Sequence, residues 1–132
     1  MIIDIMPDNP YVILIVDDDP DIRLLLDFNL SRDGYEVLEA TNGAEALDIM
    51  REHAVNLVIT DLTMPVMDGY ELIRILKESP DTSRIPLLML TAREEERVSR
   101  EGMANLPDAY LPKPFATADL QAMIEKLLSQ DS

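Results

Sequence analysis

Five residues of this 132-residue chain have types and positions suited to joint chemistry. Asp17 and Asp18 follow the apolar run YVILIV, Asp61 follows NLVIT, Thr91 follows PLLML, and Lys113 comes shortly after AYL. A carboxylate at the end of a buried run serves little structural purpose, and desolvating it is costly without a partner. Three such acids and one ammonium leave a formal charge near −2. If the fold brings them to ~4 Å, an effective dielectric of ~20 makes each like-charge contact cost on the order of 4 kcal/mol. A hard divalent cation relieves that repulsion. Mg²⁺ suits the set because it takes oxygen ligands, uses few carboxylates, and keeps waters that a phosphate can displace. Lys113 is a point charge fitted to a phosphoryl oxygen, and Thr91 can hydrogen-bond another. Asp61, in reach of both metal and lysine, is then a nucleophile that can accept a phosphoryl group.

Such a site needs elements that bring residues 17 and 113 together. The run 11–16 is continuously apolar, as in a strand covered on both faces. Asp19-Pro20 reads as N-cap and first turn of a helix that ends at Gly34, with Ile22, Leu25, Leu26, Asn29 and Leu30 at near-helical spacing. Residues 35–40 alternate like an outer strand, and 42–52 form a helix with Ala46, Leu47 and Met50 inward. Residues 56–60 read as a central strand and 61–69 as a loop. Asp68 caps the next helix, with Glu71 as its capping-box partner. Residues 86–90 form another buried strand, 93–103 a weakly amphipathic helix, and 109–111 a short strand. In 117–129, Leu120, Met123, Ile124, Leu127 and Leu128 make one helical stripe. Five βα units imply an α/β fold, a doubly wound parallel sheet with helices on both faces. Ligands then sit at the carboxyl ends of the strands, where the winding reverses. All five chemical residues belong to that edge.

Length and composition suit one domain: a leader over 1–10, the domain over 11–129, and a tail over 130–132. The chain is 47 % hydrophobic and has no cysteine, so a disulfide scaffold is excluded. Its net charge is −15, which opposes nucleic acid and anionic membranes as partners. No apolar stretch approaches a membrane span, and the acidic N-terminus is not a signal peptide. A cytoplasmic protein is expected. Rival sites lack support. An EF-hand loop beginning at Asp17 would have Ile22 in place of its glycine and Phe28 in place of its final glutamate. No glycine-rich loop follows the first strand, which removes the nucleotide-binding alternatives. His53 reads as a surface residue.

The segments ILIVDDDPDIR, LVITDLTMPVMDGYEL, LLMLTA and YLPKPF resemble the response-regulator receiver domain of two-component signalling, over about residues 11–128. The resemblance implies the CheY-like five-stranded order 2-1-3-4-5. It makes Asp61 the phosphoacceptor. Asp18, Asp61 and the backbone carbonyl of Thr63 would hold Mg²⁺, with Asp17 acting through water. Thr91 and Lys113 would contact the phosphoryl group, and the Lys113-Pro114 bond would be cis. Tyr110 matches the aromatic switch that follows Thr91 inward. Thr63 and Arg93 flank the phosphoryl site and would tune the lifetime of the aspartyl phosphate. The segment ANLPDAY departs from the family pattern at Leu106 and Pro107, on the family's usual output side.

By this resemblance the protein is a single-domain regulator. A sensor histidine kinase or phosphotransfer protein donates to Asp61, and a separate effector protein reads the result. The short tail SQDS is read as a natural end. The alternatives are a phosphorylation-independent interaction module, a receiver excised from a hybrid kinase, and a phosphohydrolase. The interaction module is disfavoured because every acid and the lysine are kept. The phosphohydrolase is disfavoured because no second acid-base residue appears.

Overall fold

The computed structural model describes residues 11–62, 64–91 and 106–129. Five parallel strands lie in the order β2-β1-β3-β4-β5. They are β1 (Val12–Val16), β2 (Glu36–Ala40), β3 (Leu57–Asp61), β4 (Leu87–Thr91) and β5 (Ala109–Pro112). The helices among the described residues are α1 (Pro20–Arg32), α2 (Gly43–Glu52), α3 (Gly69–Glu78) and α4 (Thr117–Ser129). The helix expected over 93–103, the leader and the tail lie outside the described residues.

The strand pleat divides the core in two. Ile13, Ile15, Leu57, Ile59, Leu88 and Leu90 point to one face, where Leu26 and Leu30 of α1 and Leu120, Ile124 and Leu127 of α4 cover them. Their neighbours Leu14, Val16, Val58, Leu87 and Met89 point to the other face, under Ala46 of α2 and Leu72, Ile73 and Leu76 of α3. Both faces are buried, so the inner strands read as unbroken apolar runs rather than alternating ones. Helices cross to opposite faces on either side of the β1–β3 boundary, where the winding reverses.

Two helix starts follow the expected chemistry, at Asp19 and Asp68, and a third cap stands at Asn42. The side chains of Asp19, Asn42 and Asp68 accept from the N–H groups of Asp21, Glu45 and Glu71. Each such cap is worth about 1 kcal/mol. Gly34 takes φ 96° just past α1, which a Cβ would resist. Leu25 shares the helical spacing of the buried residues but not their burial. Leu25 is 45 % exposed, because α1 buries the narrow stripe Leu26, Asn29 and Leu30 and leaves Leu25 on its flank. The approach to β5 is pinned by Asp108. Its carboxylate accepts from the Leu87 N–H at 2.7 Å and pairs with Lys77 of α3 at 3.2 Å.

The loop after β3 carries backbone strain. The Met67 N–H donates to the Pro65 carbonyl at 2.7 Å, a three-residue turn centred on Val66 at φ 71°. A β-branched residue is disfavoured there, and the Val66 side chain is 80 % exposed, so burial does not repay the strain. Val66→Gly is expected to raise the stability of the domain by roughly 0.5–1 kcal/mol, read from urea denaturation, because relief of strain exceeds the added entropy of the unfolded chain.

Candidate functional site

The register sets the site. Val16 pairs with Thr60 across β1 and β3, so the next residues, Asp17 and Asp61, stand side by side where the winding reverses. Asp17, Asp18 and Asp61 offer carboxylate oxygens that all lie within 4.8 Å of one another. Lys113 reaches in from just past β5. Its Nζ lies 2.9 Å from Asp61 Oδ1 and 3.2 Å from Asp17 Oδ2. Thr91 ends β4, and its carbonyl accepts from the Lys113 N–H at 2.6 Å. The five residues expected at one edge are all there.

Their environments differ. Asp17 is 1 % exposed, and its second carboxylate oxygen accepts from the Asp19 N–H at 2.9 Å. Asp18 is exposed and Asp61 partly so, which leaves an open side to the cluster. Burial pushes the Asp61 carboxyl above its ordinary value, against the hydrogen bond from Lys113, and the Asp17 charge adds to the rise. Burial pulls the Lys113 ammonium down, but Asp61 and Asp17 outweigh it and leave its pKa raised. One ammonium therefore holds two acids without fully neutralising three.

The donor set fits a hard divalent cation. It is all oxygen, it carries excess negative charge, and one side is open for waters. The Thr91 hydroxyl is buried and has no hydrogen-bond partner among the described residues. An unpaired buried hydroxyl costs about 1–3 kcal/mol, so an incoming acceptor would be favoured beside it. Tyr110 packs against the α2–α3 side of the core with its hydroxyl oxygen shut from solvent. The Lys113-Pro114 peptide is cis, as expected. Thr63 and Arg93 lie outside the described residues.

Two contributors escaped the sequence reading. Gly69 opens α3 against the phosphoacceptor candidate itself, since a Cβ there would lie 2.4 Å from the Asp61 carbonyl oxygen. Its N–H closes the loop onto the Leu62 carbonyl at 2.7 Å. The Asp68-Gly69 pair signalled a cap but not this close approach. Arg23, on the first turns of α1, donates to the Asp17 carbonyl at 2.8 Å. Nothing in its spacing marked it out.

Comparison with known proteins agrees with the geometry. The sequence model of the response regulator receiver domain matches residues 13–125. The phosphate regulon transcriptional regulatory protein PhoB of Rhizobium meliloti is 39 % identical over 116 residues, which is 88 % of this chain and 51 % of PhoB. The chain thus spans about half the length of that relative. The crystal structure of a putative response regulator from Chloroflexus aurantiacus superposes with a TM-score of 0.85 at 34 % identity, covering 92 % of this chain and 99 % of that one. The chemotaxis response regulator CheY4 of Vibrio cholerae gives 0.82 at 32 %, covering 89 % and 98 %.

The raised Asp61 pKa fixes the sign of a stability test. A carboxyl raised on folding contributes most below its unfolded value and loses that contribution as pH climbs through the folded one. The attraction of Lys113 is already part of this balance. In EDTA at pH 7.5, Asp61→Asn is therefore expected to melt a few degrees above the wild type by calorimetry. The gain should shrink toward nothing near pH 4.

Proposed function

The chain belongs to the response-regulator receiver family of two-component signalling, and from that premise we propose that Asp61 accepts its phosphoryl group. The observation that carries this reading is the shared ammonium, Lys113 bridging the Asp61 and Asp17 carboxylates at the open sheet edge. The donor is a phosphohistidine on a sensor kinase or phosphotransfer protein. Asp18, Asp61 and the Thr63 carbonyl would hold Mg²⁺, and Asp17 would act through water. Bound there, the ion supplies positive charge to the oxygens of the transferring group.

An Asp61 carboxylate oxygen attacks phosphorus as the bond from phosphorus to the imidazole nitrogen breaks. The electron pair leaves with that nitrogen. Lys113 shifts from carboxylate to phosphoryl oxygen and so holds charge where it develops, without having to be brought in. Asp17, fixed by the Asp19 N–H, keeps the lysine at the site as it changes partner. Thr91 donates its buried hydroxyl to another phosphoryl oxygen, and Tyr110 follows it as the switch. Arg93 and Thr63 tune the lifetime of the aspartyl phosphate.

The domain acts in the cytoplasm as a single-domain regulator on a separate effector protein, without nucleic acid or membrane as partner. Among the described residues, no helix is long and apolar enough to cross a membrane. An immunoblot of the source cells bears on the single-domain reading. A native product of 14.9 kDa supports it, and a longer product carrying this sequence overturns it.

Intact mass after incubation with Mg²⁺ and acetyl phosphate tests the central reading. One phosphoryl adduct is expected on the wild type, none without Mg²⁺, and none on Asp61→Asn. Lys113→Ala keeps the nucleophile but should lose about 100-fold in rate, the usual cost of removing one charge-stabilising donor. An adduct persisting on Asp61→Asn would place the acceptor elsewhere. Arg93→Ala should shorten the lifetime of the adduct, followed by its decay after removal of acetyl phosphate.

A further inference from the structure

Every polar group of Asp17 is engaged. Its N–H donates to the Ala40 carbonyl of β2 at 3.1 Å. One carboxylate oxygen takes the Asp19 N–H, and the other takes Lys113. Its carbonyl takes Arg23 Nη1 at 2.8 Å. That carbonyl belongs to the peptide joining Asp17 to Asp18. The plane of this peptide sets where the Asp18 side chain departs, and the segment 17–19 belongs to neither strand nor helix. Arg23 is itself braced, its Nε donating to Glu39 of β2 at 3.2 Å, and its side chain is only 19 % exposed. One rigid guanidinium thus ties the acid pair to the start of α1 and to the edge strand.

The bracing matters because Asp17, Asp18, Asp19 and Asp21 crowd five residues of chain. Their repulsion favours swinging Asp18 outward. Resting on the metal-site reading above, we propose that Arg23, held by Glu39, is a positioning residue for the divalent-cation site: it fixes the Asp17–Asp18 peptide and so sets the affinity for the ion. The alternative effect has the opposite sign. If Arg23 acted only as a nearby positive charge, removing it would tighten cation binding.

Mn²⁺ titration followed by EPR, with Mg²⁺ as competitor, separates the two. Arg23→Ala is expected to weaken both ions about tenfold, in the range seen when partners of metal ligands are removed. Arg23→Lys keeps the charge but cannot span the carbonyl and Glu39 with one planar fork, so it should recover only part of the affinity. Glu39→Gln should weaken binding by a smaller factor. Leu30→Ala, a core change in the same helix, controls for lost stability and should bind as the wild type does. Arg23→Ala binding as tightly as the wild type, or more tightly, overturns the proposal, as does an equal loss in Leu30→Ala. Asp18→Asn distinguishes the two levels of argument. If it binds as the wild type does, the metal-site reading falls and this inference falls with it. If it loses the ion while Arg23→Ala keeps it, only the positioning role falls.

Discussion

A single ammonium shared between two carboxylates organises this domain. Lys113 lies 96 residues from Asp17 and 52 from Asp61, so no local structure can bring them together. The sheet must close first, and the last strand must deliver the lysine to the switch point made by the first and third. The pairing is also incomplete. Three acids meet one lysine, and burial adds to the cost of ionising Asp61. An isolated ion pair of this kind contributes little stability. A chain holding it has placed stored repulsion at the one edge where a doubly wound sheet leaves room for a ligand.

The surrounding elements keep that repulsion in place. Asp19 serves twice, its side chain capping α1 and its N–H holding Asp17. The helix start and the acid are therefore set by one residue. On the β3 side, α3 comes so near that only glycine fits at position 69, and the Asp61 backbone is wedged between its own strand and the next helix. Arg23 completes the enclosure by joining α1 and β2 to the Asp17 carbonyl. Acids on free loops would separate. Asp17 and Asp61 cannot, because their backbones are hydrogen-bonded to elements packed on a common core.

Most of this architecture was legible in the chain. The apolar runs named the strands, since strands covered on both faces cannot hide a helical period. Asp19 and Asp68 showed where helices begin, because an orphan N–H group wants a short polar acceptor. The acids at strand ends were legible because nothing structural explains them. What escaped depended on three-dimensional closeness. Leu25 has the spacing of a core residue, but the stripe α1 buries is narrower than its pattern suggests. Arg23 looks like an ordinary helix cation, and its role appears only when β2 lies beside α1. The Asp68-Gly69 pair looks like a cap, and sequence carries no trace of the Asp61 carbonyl pressing on it. Val66 gave no sign of the backbone it must adopt, since valine is the wrong residue for it.

The unpaired Thr91 hydroxyl bears on how the proposed modification would be felt at a distance. Its backbone carbonyl already binds the Lys113 N–H, so threonine and lysine cannot move independently. A phosphoryl group on Asp61 would offer the hydroxyl a charged acceptor, a contact worth about 1.5–3 kcal/mol. Only the part of that energy that differs between two conformations can shift their balance. If the resting state leaves the hydroxyl unpaired and the other pairs it, the whole amount counts, which is roughly one to two powers of ten in population. At the upper end of that range, a conformation holding a few per cent of molecules would become the majority. Tyr110 lies on β5, the strand next to β4, and pairs with Met89, two residues before Thr91. The proposed switch needs only one new hydrogen bond, because the buried Thr91 hydroxyl has no partner among the described residues.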